Sequence, residues 1–391
     1  MSKKYLLAEH TIERDDIKDL VEWLKQNPWL TQGELVREFE QTYARWSGHR
    51  FAVFVNSGSS ANLLMYAALL ARESLANRKV IVPAIAWATT VAPAIQLGFE
   101  PIMCDADEQT FGLDLGQLEA LLRQHGAATV IIVHVLGVPN DMEGLLALKK
   151  RYGFQLLEDS CAAMGTRYDG KHVGTFGDMA SYSFYFGHHL STIEGGMICT
   201  DDESTRDMLL MLRSHGWTKD LSAEEQARMA EAHHVIPFNR TFTFYVPGYN
   251  VRSTDLNARI GLSQMKKADR VVARRVENHK TYQSRFIGAA GLHCQQNPRG
   301  TISSISFCAL ASSASHRDRI GAALARAGIE TRPIGGGNMS RQPFWASRFG
   351  STDMRVADRI HTTGFQLPNH PGLSTEDIHH ISDTVLAVSA T

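Results

Sequence analysis

The sequence predicts an α/β protein: a large, mostly parallel sheet covered by helices, followed by a smaller α+β unit. Three observations carry that expectation. Between residues 51 and 214, short apolar runs alternate with helical patterns, the arrangement that buries a parallel sheet on both faces. From about residue 300 the pattern changes to strand, helix, strand and a closing helix. One aromatic run, Ser181-Tyr-Ser-Phe-Tyr-Phe-Gly-His188-His189, ends in two histidines ahead of Glu194-Gly195-Gly196. Such a strand end is where side chains reach a ligand crevice in α/β proteins.

Residues 13–45 read as two amphipathic helices. Ile17, Leu20, Val21 and Leu24 stripe the first; Leu35, Phe39 and Tyr43 stripe the second. The turn from Asn27 to Gly33 is placed to lie against a neighbouring surface. Phe51 to Ser60 is a buried strand running into a Ser-Gly turn, and Ala61 to Arg72 continues as a helix. Further strands are expected at 80–87, 101–107, 128–136 and 155–159, with helices to about Leu97 and at 115–124 and 142–152. A hairpin at Asp169-Gly170, the aromatic run and Met197–Thr200 complete that sheet. A helix at 201–214 leaves it. Residues 218–245 are polar and resemble an inserted loop with a helical patch at 223–232. Leu256 to Lys280 reads as one long helix. Strands at 302–310 and 329–332, with helices at 316–327 and Thr375–Ala390, form the smaller unit.

A chain of 391 residues suggests roughly two domains, taken as 1–250 and 251–391. Lys plus Arg total 40 against 41 Asp plus Glu, so no global field attracts nucleic acid or an anionic membrane. The five cysteines form no C-x-x-C pair, which argues against zinc or a disulfide framework and suits a reducing cytoplasm. Neither a signal-like start nor an apolar run near the ~20 residues of a membrane span is present. A soluble, cytoplasmic protein is expected. The free N–H groups at the start of the helix after Ser57 suit an anion, although a single Ser-Gly turn taken alone reads first as an ordinary N-cap.

Several motifs stand in order: Asn56-Ser-Gly-Ser-Ser-Ala-Asn62, Pro83 with Trp87, Glu158-Asp159, Ser183, Glu194-Gly195-Gly196, Gly248-Tyr-Asn250 and Thr331-Arg-Pro333. Together they resemble the fold-type I pyridoxal-phosphate sugar aminotransferase and dehydratase family, which acts on nucleotide-linked keto-sugars. The resemblance implies a seven-stranded-type sheet and a set of roles. Gly58, Ser59 and Ser60 would hold the cofactor phosphate, helped by Ser183. Trp87 would stack on the pyridine ring, and Asp159 would pair with its protonated nitrogen. Asn250 would reach across a homodimer interface to the partner's cofactor, so that two chains share each site. Arg332 and His215 would lie on the substrate side.

In the family's aminotransferases a lysine stands six residues before the Glu of Glu-Gly-Gly; here that place holds His188. Imidazole cannot form the covalent C=N bond by which a lysine holds the cofactor. Lys149, Lys150, Lys171, Lys219, Lys266 and Lys267 all lie in polar helical, hairpin or loop contexts. Histidine in this motif resembles the 3-dehydratase branch. That likeness implies loss of the C3 hydroxyl from a nucleotide-linked 4-keto-6-deoxyhexose, with GDP-4-keto-6-deoxymannose as substrate. L-Glutamate would be amino donor as the cofactor passes between pyridoxal and pyridoxamine phosphate, in colitose-type O-antigen biosynthesis. His188 would act as base and then acid, roles that its reference pKa of ~6.5 allows. A related dehydratase of CDP-sugars uses an iron–sulfur cluster and a reductase. A cluster needs four thiolates in one place, and no cysteine occurs between Cys199 and Cys294. Neither cluster, metal nor reductase partner is therefore expected. Ala162 departs from the polar residue common at that place. Two other readings stay open: an aminotransferase using another lysine, and a catalytically silent relative that binds a sugar nucleotide.

Overall fold

The structure is a computed structural model that describes residues 4–72 and 75–389. Helix α1 (Arg14–Leu24) starts in a capping box formed by Glu13 and Asp16. α2 (Glu34–Ser47) ends at Gly48, whose φ of 83° is the left-handed stop that favours glycine. Then follow β1 (Phe51–Val55), α3 (Gly58–Ala71), β2 (Lys79–Pro83), α4 (Ala88–Gln96), β3 (Glu100–Cys104), α5 (Leu115–His125), β4 (Thr129–Val133), α6 (Met142–Tyr152) and β5 (Gln155–Asp159). A hairpin of β6 (Arg167–Tyr168) and β7 (Lys171–His172) precedes β8 (Met179–Ser183), β9 (Gly196–Thr200) and α7 (Glu203–Arg213). The helices α5, α6 and α7 are each opened by an aspartate (Asp114, Asp141, Asp202) whose carboxylate accepts a first-turn N–H.

Seven strands form one sheet in the order β1-β9-β8-β5-β4-β2-β3, parallel except for β9. Every residue of β8 and β9 is buried, as expected of strands covered on both faces. The hairpin is a correction to the expected sheet. It pairs instead with a short strand at Gly300–Thr301, because Arg167 and Tyr168 meet Thr301 and Gly300 in antiparallel register.

After α7 come α8 (Ala223–Ala232), α9 (Asp255–Met265), α10 (Ala268–Phe286), β10 (Leu292–Cys294), β11 (Gly300–Thr301), β12 (Ser306–Ala311), α11 (Ala314–Arg326), α12 (Pro343–Phe349), α13 (Arg355–Thr363), β13 (Gly364–Pro368) and α14 (Thr375–Ser389). Ala390, the expected end of α14, lies outside the described residues. The single long helix expected from Leu256 is two helices. The chain leaves helical geometry at Lys267, whose ammonium bonds the buried Asp16 carboxylate at 2.7 Å. The strand expected at 329–332 is only a bridge from Ile329 to Tyr5; the third strand of the small sheet is β13, in the order β10-β12-β13. Tyr282, Phe286, Phe307, Leu367 and Ile378 form the apolar centre of that layer.

The stripe of α1 lies on the outside: Ile17 is 48% and Val21 44% exposed. The helix docks by its acidic face, where Asp16 accepts from Ser263 and Gln264 and Asp19 pairs with Arg259. Asp105, just beyond β3, accepts the Ala357 and Val356 N–H groups at 2.8 and 3.1 Å and so caps the start of α13. Asp105→Ala is expected to lower unfolding free energy by about 1–2 kcal/mol, the usual worth of such a cap, measured by urea titration. An unchanged midpoint would show that the cap contributes nothing.

Candidate active site

Strands β1, β2, β5 and β8 run the same way, so their carboxyl ends open on one edge of the sheet. A residue singled out from the sequence follows each of them. From β1 the chain turns into α3, where Ser57 is the N-cap and accepts the Ser60 N–H at 3.0 Å. The N–H groups of Gly58 and Ser59 keep no acceptor among the described residues. With the positive end of the helix dipole, they offer a seat for an anion. Ser59 Oγ lies 2.9 Å from Thr89 Oγ1, and Ser60 Oγ donates to Asn56 Oδ1 at 2.6 Å. A Cβ on Gly58 would stand 2.7 Å from that of Ser183 and 3.1 Å from Cys161 Sγ. Only glycine lets the turn close on Ser183 at the end of β8.

Trp87, at the start of α4, is 63% exposed, so its indole is not spent in the core. Asp159 ends β5 and is only 5% exposed. Its Oδ2 accepts from Asn62 Nδ2 at 2.9 Å and Thr90 Oγ1 at 2.7 Å, and its Oδ1 from the Cys161 N–H at 3.1 Å. All three donors are neutral. A buried carboxylate held this way is suited to a cationic ligand. Ala162 follows in the same turn, and its own side chain brings no polar atom.

His188 is half-buried beyond β8, and its Nδ1 lies 2.8 Å from the Cys161 carbonyl oxygen. A carbonyl only accepts, so Nδ1 carries the proton and Nε2 keeps its lone pair. Desolvation pushes its pKa down to about 4, outweighing the upward pull of the Cys161 hydrogen bond and the Asp159 charge. His189 points elsewhere. It is fully buried and its Nε2 donates to the Ser303 carbonyl at 2.9 Å.

Beneath the site, burial pushes the Glu158 carboxyl up, but bonds from His134 and the Gly174 and Gly177 amides outweigh it and hold it below the usual range. Glu158 thereby fixes the 174–177 loop to the strand that carries Asp159. Lys149, Lys171 and Lys267 are committed to Asp178, the Thr175 carbonyl and Asp16.

The remaining predicted residues stand apart. Asn250 is exposed, with Oδ1 held by Arg252 at 3.1 Å, beside the end of β1 where the Asn56 N–H meets the Val251 carbonyl. His215 has a φ of 61°, and its N–H bonds the Tyr249 carbonyl at 2.6 Å. Arg332 is exposed and paired with Glu330 at 2.8 Å, whose other oxygen accepts the Leu7 N–H. The structure thus groups Gly58, Ser59, Ser60, Trp87, Asp159, Ser183 and His188 on one edge. It sets His215 and Asn250 together on a neighbouring turn and leaves Arg332 in an ion pair. Sequence reasoning gave no role to Asn62 or Thr90; a polar residue one turn into α3 and the Thr89-Thr90 pair after Trp87 were the available signals.

The cluster fits pyridoxal phosphate, with free amides for its phosphate, an indole face for its ring and a buried anion for its ring nitrogen. Comparison with known proteins agrees. The chain is 33% identical over 383 residues to the GDP-4-keto-6-deoxy-D-mannose 3-dehydratase of Yersinia pseudotuberculosis, covering 96% of each. It superposes with a TM-score of 0.89 and 30% identity on the Escherichia coli GDP-4-keto-6-deoxy-D-mannose-3-dehydratase with bound hydrated PLP, covering 98% of this chain and 100% of that one. A GDP-4-keto-6-deoxymannose-3-dehydratase structure with a trapped PLP-glutamate geminal diamine matches at TM-score 0.88 and 30% identity, over 97% and 100% of the two chains. Residues 11–386 match the profile of one family. The chain belongs to the DegT/DnrJ/EryC1/StrS aminotransferase family.

Proposed function

We propose that this protein is a pyridoxamine-phosphate-dependent 3-dehydratase that removes the C3 hydroxyl of GDP-4-keto-6-deoxymannose, with L-glutamate as amino donor. The observation that carries the reading is His188: an imidazole with a free Nε2 occupies the crevice position where an aminotransferase needs a lysine amine. The names of the similar enzymes support the same substrate and amino donor.

When bound, the cofactor supplies an amine for the sugar's C4 ketone and a ring that stores electrons while the C3–O bond breaks. The chain's own residues do the rest. The Gly58 and Ser59 amides, with Ser60 and Ser183, hold the phosphate; Trp87 covers the ring; Asp159 keeps the ring nitrogen protonated. Nε2 of His188 would take up the proton lost from the cofactor's amine-bearing carbon and return it to the departing C3 oxygen, acting first as base and then as acid. Exposed Asn250 is read as the residue offered to a second chain in a homodimer. Among the described residues no helix is long and apolar enough to cross a membrane, and the enzyme is read as cytoplasmic.

Mass spectrometry of the products from GDP-4-keto-6-deoxymannose plus glutamate tests the reading. Loss of the C3 oxygen with release of ammonia is the expected result. A product that retains an amine would make the protein an aminotransferase, and no turnover would make it a silent binder.

A further inference from the structure

The carboxylate of Asp159 is held asymmetrically. Both side-chain donors, Asn62 Nδ2 and Thr90 Oγ1, converge on Oδ2, at 2.9 and 2.7 Å. Among the described residues, the bond at Oδ1 comes from the Cys161 main-chain N–H, at the longer distance of 3.1 Å, with the Cys161 thiol also beside the carboxylate. The Asn62 amide cannot flip. The Asp159 carboxylate only accepts, so Nδ2 must face it, which leaves Oδ1 to the Ser181 hydroxyl at 2.6 Å; reversed, two acceptors would meet at Asp159. Asn62 is 3% exposed and Thr90 fully buried, so neither hydroxyl nor amide has water as an alternative partner. Donors come from α3 and α4, and the relay from β8, the strand beside β5. Four elements of the large sheet layer are thus spent on orienting one carboxylate.

We propose that Asn62 and Thr90 are positioning residues that turn Oδ1 of Asp159 toward the cofactor's pyridine nitrogen, with Ser181 bonded to the far side of the Asn62 amide. This rests on the cofactor assignment made above. Two neutral donors on Oδ2 stabilise the charge without neutralising it, which a lysine or arginine in their place would do. The anion therefore keeps its pull on a proton at the ring nitrogen, and the least engaged oxygen is the one left to receive it.

The test loads the full-length protein with pyridoxal phosphate labelled with ¹⁵N in the ring and reads protonation of that nitrogen by ¹⁵N NMR as pH is varied. In the unaltered protein the nitrogen should be protonated at neutral pH. Thr90→Val, which keeps shape and removes the donor, should lower its apparent pKa by about one to two units and slow the half-reaction with glutamate roughly 10- to 100-fold, the worth of a hydrogen bond to a charged group. Thr90→Ser should restore both. Asn62→Leu should act in the same direction; if it fails to fold by circular dichroism, the isosteric Thr90→Val decides alone. A protonated nitrogen that is unchanged in folded Thr90→Val overturns the positioning role and leaves the cofactor assignment intact. An unprotonated nitrogen in the unaltered protein overturns both.

Discussion

His188→Asn is expected to reduce dehydration roughly 10²- to 10⁴-fold, the range carried by a positioned general acid–base group, with little change in folding. The physical basis is the bond to the Cys161 carbonyl, which assigns the ring proton to Nδ1 and frees Nε2. An asparagine amide can donate to the same carbonyl but offers no basic nitrogen to the crevice. The pH profile adds a second check. The ring stays neutral down to about 4 before the cofactor binds, so its base form is fully present at pH 6. His188→Lys is the complementary substitution: it restores the amine of the family's transaminases. It should abolish dehydration and leave a covalent cofactor adduct, detected by borohydride reduction and intact-mass analysis. A variant of either kind that keeps full dehydratase activity removes His188 from the chemistry.

Acidification is expected to destabilise this protein before Asp16 and Glu158 titrate. Burial depresses the pKa of His188 to about 4 and of His279 to about 3, and pushes His189 well below 6.5. The sign follows from proton counting. Below the unfolded pKa of ~6.5 the unfolded chain binds protons that the folded histidines refuse. Stability is therefore intact above pH 6.5 and falls as pH drops from there toward 4, by roughly 1.4 kcal/mol per pH unit for each such histidine. Asp16 and Glu158, whose pKa values are held low, retain their stabilisation throughout that window and lose it only below. Calorimetric Tm values between pH 7 and 4.5 measure the slope. His279→Asn should flatten it by one proton, since His279 bonds Ser304 through Nδ1 far from the chemistry. A Tm that is flat across that window would show that these histidines charge freely in the folded state.

The large sheet was legible because its strands are mostly apolar and separated by capped helices. Asp114, Asp141 and Gly126 mark boundaries by chemistry that acts within a few residues. The site was legible where a motif is local: the Ser-Gly turn, the end of β5, and the distance from Glu194 back to His188. What escaped is long-range. The polar character of Asn62 and Thr90 is local, but that both meet Asp159 is set by strands and helices far apart in sequence. The hairpin's partner lies more than a hundred residues away, at Gly300–Thr301. The break between α9 and α10 depends on a buried aspartate in α1, and the outward stripe of α1 depends on which of its two faces finds partners. Periodicity reports a face; it does not report what that face will meet.

The neighbour of β1 has a consequence for how the molecule is made. Among the described residues β1 is an edge strand whose partner strand is β9, matched from Phe51 with Thr200 to Val55 with Gly196, with a single bridge from Val55 to Arg252 on the other side. A chain emerging from the ribosome therefore displays β1 and the Gly58–Ser60 turn long before the strand that secures them exists. Closing so wide a loop is slow, and the unpaired edge is open to wrong partners meanwhile. Nascent chains truncated before Gly196 should be protease-sensitive across 51–60 and unable to retain pyridoxal phosphate; those extended past Thr200 gain the edge pairing that this turn requires.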